Sequence, residues 1–110
     1  MADIKLDWQL PASTVDMTNI DTFVIYKKAG ASCADLQTLA SDNDATYKLA
    51  VSGSGTSGNE INDLTIDTYT DTGVTQGTYT YGIYAKNSVG VSPCKGPNSG
   101  DDSIAIVTVA

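Results

Sequence analysis

The sequence predicts an all-β, loop-rich chain, and three observations carry that reading. Ile4, Leu6, Trp8 and Leu10 alternate with Lys5, Asp7 and Gln9. In the stretch Thr78–Lys86, Tyr79, Tyr81, Ile83 and Ala85 fall on one side, and Thr78, Thr80, Gly82, Tyr84 and Lys86 on the other. Side chains on a strand point to opposite faces in turn, so both stretches read as strands. The third observation is the acid content: twelve of the thirteen acidic residues are Asp, a turn former that is depleted from strands. A chain of 110 residues is expected to make a single domain, 1–110, burying about two-thirds of its unfolded surface.

The first strand runs over Ile4–Leu10 and stops at Pro11. Ala12–Asp21 is a polar loop. Thr22–Lys28 is the second strand, with Phe23 and Ile25 on one face, Val24 and Tyr26 on the other, and Lys27-Lys28 marking its exit to solvent. Ala29-Gly30-Ala31-Ser32 breaks it. Ala34–Ala40 can form one or two helical turns, with Leu36 and Leu39 facing one way. Asp42-Asn43-Asp44 is a turn, and the alternation of Tyr47, Leu49 and Val51 predicts an extra strand over Thr46–Ser52. Ser52–Asn59, rich in Gly and Ser, is expected to be the most mobile tip of the chain.

Leu64, Ile66 and Tyr69 predict a further strand ending at Asp71, with a bulge where the apolar spacing changes from two to three. Thr72–Gly77 is the corner before the tyrosine strand, and Asn87-Ser88-Val89-Gly90 the turn after it, with Gly90 free to take a positive φ. Val91–Cys94 begins the last strand, Lys95–Asp102 interrupts it, and Ser103–Ala110 completes it.

Leu6-Asp7-Trp8, Phe23-Val24-Ile25-Tyr26 and Tyr69–Asn87 together resemble a fibronectin type III domain. The resemblance implies an antiparallel fibronectin type III/Ig-like β-sandwich whose core is Leu6, Trp8, Phe23, Ile25, Leu64, Ile66, Tyr79, Tyr81 and Ile83. It makes Leu6–Trp8 part of strand B, Thr22–Lys28 strand C, Leu64–Tyr69 strand E and Tyr79 the corner tyrosine of strand F. Only Met1-Ala2-Asp3 precede strand B, so the family's strand A is missing. The free edge of strand B is then covered by another part of the chain or left for a neighbour.

Composition narrows the function mainly by exclusion. There is no His, which removes the commonest general base and zinc ligand. Net charge is −7, with six Lys and no Arg, which argues against nucleic-acid recognition. Gly53–Gly58 lacks the Lys and following helix of a phosphate loop. Asp42-Asn43-Asp44 and Asp101-Asp102 carry oxygen ligands but lack the Gly and distal Glu of an EF-hand loop, so turns are the better reading. No catalytic residue, cofactor or metal is expected, and no stretch is long and apolar enough to span a membrane. The start Met1-Ala2-Asp3-Ile4-Lys5 has neither the basic nor the apolar region of a secretory signal.

Cys33 and Cys94 are the only cysteines. They are either a bridge closing a long loop or two structural thiols, and the sequence leaves both open. Tyr26 and Tyr84 are placed on the outer face of the C–F–G sheet, as a stabilising cross-strand pair or, with Asn87, as a binding surface. The family analogy leads to an expected function: a structural and interaction subunit of a bacteriophage virion, on its head surface, neck or tail. Its partners would be other virion proteins or copies of itself through the open edge. One alternative is a carbohydrate- or host-surface-binding module using those tyrosines and the loops Ala12–Asp21 and Asn87–Gly90. Another is an adaptor domain excised from a larger intracellular protein.

Overall fold

Two antiparallel sheets, one of two strands and one of five, pack face to face in the computed structural model, which describes residues 2–9, 19–94, 96 and 103–110. The strands are β1 (Ala2–Asp7), β2 (Thr22–Ala29), β3 (Thr56–Ser57), β4 (Glu60–Ile61), β5 (Thr68–Val74), β6 (Gly77–Lys86) and β7 (Ile104–Val109). Among the described residues one helix, α1 (Cys33–Ser41), lies between β2 and β3 in sequence. The small sheet is β1-β5, and the large one runs β3-β4-β2-β6-β7. The fold is all-β.

The pairing of β2 with β6 is unbroken from Thr22↔Lys86 to Ala29↔Tyr79. That register sets which side chains share a face. Phe23, Ile25, Tyr79, Tyr81, Ile83 and Ala85 turn toward the small sheet. There they join Ile4, Leu6, Trp8, Leu64, Ile66, Val51 and Ile61 in one apolar cluster between the sheets. Lys27 also lies on this inner face: its Nζ sits 2.8 Å from Asp71 Oδ2 on β5, so it does not mark an exit to solvent. Asp71 satisfies the ammonium, and the Tyr81 hydroxyl donates to the same oxygen at 2.7 Å.

The other face of the large sheet is buried too. Val24, Tyr26, Tyr84 and Ile104 pack against Ala31, Leu36 and Ala40. Helix α1 forms here because Ser32 and Asp35 close a capping box: the Ser32 hydroxyl accepts from Asp35 N at 3.1 Å, and the Asp35 carboxylate accepts from Ser32 N at 2.9 Å. A nine-residue helix is too short to be stable alone, so burial of Leu36 and Ala40 holds it on the sheet. Gly82 is the contact point. A Cβ there would stand 3.0 Å from Leu36 Cδ1 and 3.1 Å from Tyr84 Cε2. Gly82→Val should therefore lower stability by about 1–3 kcal/mol through overpacking, read as a lower urea midpoint. An unchanged midpoint would show that α1 does not press on the sheet.

Several predicted elements differ in detail. Thr46–Ser52 is not a strand. Asp44 Oδ1 accepts from Thr46 N at 2.9 Å and starts a single 3-10 turn, Ala45–Tyr47. The chain then meets the β2 backbone at the bridge Tyr26↔Lys48 and the bond from Leu49 N to Ile25 O at 2.7 Å. Ser52–Asn59 is no loose tip. β3 and β4 form a hairpin within 53–61, with Gly58 at φ 64, and Val51 N donates to Gly58 O at 3.0 Å. Leu64 and Ile66 precede their strand, because Asp63 Oδ1 accepts from both Thr65 N and Thr65 Oγ1 and folds 63–66 into a turn.

β5 begins at Thr68 and continues to Val74, leaving only Thr75 and Gln76 as the corner. Its bulge is not at Ile66–Tyr69 but near Gly73, where the register steps from Ile4↔Asp71 to Ala2↔Val74. Gly73 supplies the φ of 67 that this needs. β1 ends at Asp7, while Trp8 N still donates to Asp67 O at 2.9 Å. Val91–Cys94 makes one bridge, Lys86↔Val91, and not a strand. β7 pairs with β6 from Gly77↔Val109 to Gly82↔Ile104. Leu10, Pro11, most of the Ala12–Asp21 loop and Asp101-Asp102 lie outside the described residues.

Candidate functional site

The small sheet is one strand narrower than the surface it faces. It covers β2 and β6: Lys27 and the Tyr81 hydroxyl both reach Asp71 on β5, Trp8 packs edge to face on Phe23, and Leu6 and Trp8 line a cavity with Tyr81 and Ile83. Among the described residues nothing of the small sheet lies over β7. Its alternate residues Ala105 and Val107 share the inner face with Tyr81 and Tyr79, their register partners, yet Ala105 is exposed and Val107 only half-buried. On the other face Ile106 is 57% exposed. Between β1 and β7 a cavity of about 70 Å³ opens, lined by Leu6, Trp8, Ile25, Ile83, Ile104 and Ala105 among others.

Backbone geometry makes this flank a pairing edge. The bond from Trp8 N to Asp67 O marks Trp8 as facing β5 with its hydrogen-bonding groups. In an antiparallel pair those groups alternate in direction, so Leu6 and Ile4 also turn to β5. The main-chain groups of Lys5 and Asp7 then point to the free side. Their side chains are exposed and 3.9 Å apart, and charged side chains on an edge discourage casual strand pairing. β7 has no such protection: Ser103–Ala110 carries no charged residue and no proline. The Trp8 indole N–H is buried with no acceptor among the described residues.

The predicted tyrosine surface does not exist. Tyr26 and Tyr84 are both fully buried, their rings edge to face with centroids 5.7 Å apart. The register makes them diagonal neighbours, Val24↔Tyr84 and Tyr26↔Gly82, and α1 covers the face they share. Burial pushes each phenol up to about 12, with Asp44 and Glu60 adding to the effect on Tyr26. Burial and the bond to Asp71 push Tyr81 higher still. Asn87 is a turn-builder and not a free contact residue: its Oδ1 accepts from Val89 N at 2.8 Å and Gly90 N at 3.1 Å, and its Nδ2 donates to Asn19 O at 2.9 Å. Gly90 stays outside the left-handed region, and Val89 stands 94% exposed at the tip.

Tyr79 sits at the start of β6 and donates its hydroxyl to Thr75 O at 3.1 Å, pinning the corner that joins the two sheets. Lys27 Nζ lies 4.8 Å from the Tyr79 ring centroid, so the same ammonium holds Asp71 and two tyrosine faces. Cys33 and Cys94 form a disulfide, with Cα atoms 5.8 Å apart across a separation of 61 residues. Helix α1 lies flat on the outer face and brings Cys33 to the segment that leaves the Asn87 turn. Beside it Gln37 accepts from Cys94 N through its side-chain oxygen.

Among the described residues no group of three or more acidic or cysteine side chains is gathered as a metal site, and no helix is long and apolar enough to cross a membrane. Sequence reasoning missed the uncovered inner face of β7 and the helix cap. The signals were present, in the charge-free run SIAIVTVA and in the spacing of Ser32 and Asp35. No family model matches the chain, and no curated protein matches it significantly.

Proposed function

We propose that this chain is a non-enzymatic structural and interaction subunit of a bacteriophage particle, built on a fibronectin type III-like sandwich. The observation that carries the interaction role is the flank between β1 and β7. It offers main-chain groups at Lys5 and Asp7 that have no partner strand among the described residues, beside an apolar floor at Ala105 and Val107. A sheet one strand short is suited to completion by a neighbour. The strand order supports the family part, with β1 and β5 standing for strands B and E and β2, β6 and β7 for C, F and G. So does the bond from the Tyr79 hydroxyl back to Thr75 O at the corner. The virion part is family analogy, helped by a disulfide that persists outside a reducing cytoplasm, as in a particle released by lysis.

The carbohydrate-binding alternative relied on Tyr26 and Tyr84 as exposed platforms, and their burial leaves it without a carrying observation. The test is sedimentation of lysate from the native source through a density gradient. Co-migration with a particle of virion size at fixed stoichiometry is the expected result. Recovery only at the top, as a small species, overturns the virion reading.

A further inference from the structure

We infer that the flank between β1 and β7 takes one extended strand from a different, basic protein, which pairs with the free edge of β1 and lays alternate apolar side chains over β7. The inference rests on the interaction role proposed above and narrows it to a chemistry of partner.

Three features of the flank ask for a strand. The main chain of Lys5 and Asp7 faces outward, two residues apart, which is the repeat at which an added strand exchanges hydrogen bonds. The inner face of β7 is bare at Ala105 and half-bare at Val107, so side chains spaced by two along the incoming strand find a floor. The cavity of about 70 Å³ beneath them is roughly half the ~150 Å³ that holds a benzene ring in an apolar core. It has room for one branched aliphatic side chain. Trp8 lines the same cavity, and its buried indole N–H has no acceptor among the described residues.

Charge decides what kind of strand. The outward-facing side chains of β1 are Asp3, Lys5 and Asp7, all exposed, on a chain of net charge −7. A second copy would bring the same excess of negative charge to the contact, and like charges directly opposite one another on paired strands are destabilising. A strand with Lys or Arg at the outward positions and Val, Ile or Leu at the inward ones matches both sides of the flank.

The probe is an acetylated, amidated heptapeptide of alternating lysine and valine, added to the intact, oxidised protein. Amide hydrogen exchange at Lys5 and Asp7 is expected to slow by about tenfold at ten times the dissociation constant, with a change in Trp8 fluorescence. Replacing the central valine of the peptide by proline, or its lysines by glutamate, should abolish both signals. So should Ala105→Phe, which fills the flank at an exposed position without touching the buried core. No slowing at Lys5 and Asp7, or equal slowing with the proline peptide, overturns strand addition. Equal binding of the glutamate peptide overturns the basic partner. Protection that rises with protein concentration in the absence of peptide assigns the flank to a second copy and overturns the inference in that form. These readouts use purified protein, so they fail independently of the density-gradient result.

Discussion

Removing the bridge with Cys33→Ser and Cys94→Ser together is expected to cost about 4 kcal/mol of stability, from the loop of 61 residues that it closes in the unfolded chain. Domains of this size are stable by only about 5–15 kcal/mol, so the loss is a large share of the whole. The structure adds a second reason for a large effect. Helix α1 is too short to persist by itself, and it is the roof over Val24, Tyr26 and Tyr84. Once the bridge is gone, the burial of Leu36 and Ala40, the packing of Leu39 and the Gln37 contacts are left to hold it down. Chemical denaturation of the oxidised protein, the reduced protein and the double variant measures the effect. The last two should unfold at similar, much lower denaturant. A double variant as stable as the oxidised protein would mean that the helix docks without covalent help.

High pH should unfold the domain in a narrow window. Tyr26 and Tyr84 are neutral when buried, and burial raises both phenols from the ordinary value of 10.0 to about 12, with Tyr81 raised further by burial and by Asp71. The unfolded chain therefore releases these protons first. Stability from the neutral phenols is fully present below pH 10 and drains away as pH climbs toward 12. After solvent screening, Tyr26 and Tyr84 are each worth about 1–2 kcal/mol of this loss. Circular dichroism and tyrosinate absorbance should change together, since ionisation of the buried rings requires opening. Tyr84→Phe should move the alkaline midpoint upward. It should also raise stability at neutral pH by about 1 kcal/mol, because the Tyr84 hydroxyl is buried with no hydrogen-bond partner among the described residues. Tyrosinate absorbance rising before the loss of structure, or a midpoint unmoved by Tyr84→Phe and Tyr26→Phe, would refute this.

The flank and the roof have opposite origins. The roof exists because the large sheet is apolar on both faces: Phe23, Ile25, Tyr81 and Ile83 on one, Val24, Tyr26, Tyr84 and Ile104 on the other. The flank exists because, among the described residues, the opposing sheet has two strands to cover β2, β6 and β7. An apolar second face reads equally well, along one strand, as a binding surface or as a floor for a helix. That ambiguity is why Tyr26 and Tyr84 were legible as a pair but not as a buried one. The bare floor at Ala105 and Val107 was not legible, because cover over a strand is a property of the opposing sheet.

The sequence by itself determined the strands with strong two-residue periodicity, β1, β2 and β6, and which of their residues share a face. Those follow from the local geometry of an extended chain and need no knowledge of neighbours. It also carried the break at Gly30 and the turn at Asp42-Asn43-Asp44, in which the side chain or φ angle acts within a few residues. Tertiary structure alone decided the Cys33–Cys94 bridge, the seating of α1 over Gly82 and the inward turn of Lys27 to Asp71. Each of these depends on groups far apart in sequence, brought within contact only by the packing of two sheets. Their energies come from shared burial and closed loops, which no window of neighbouring residues contains.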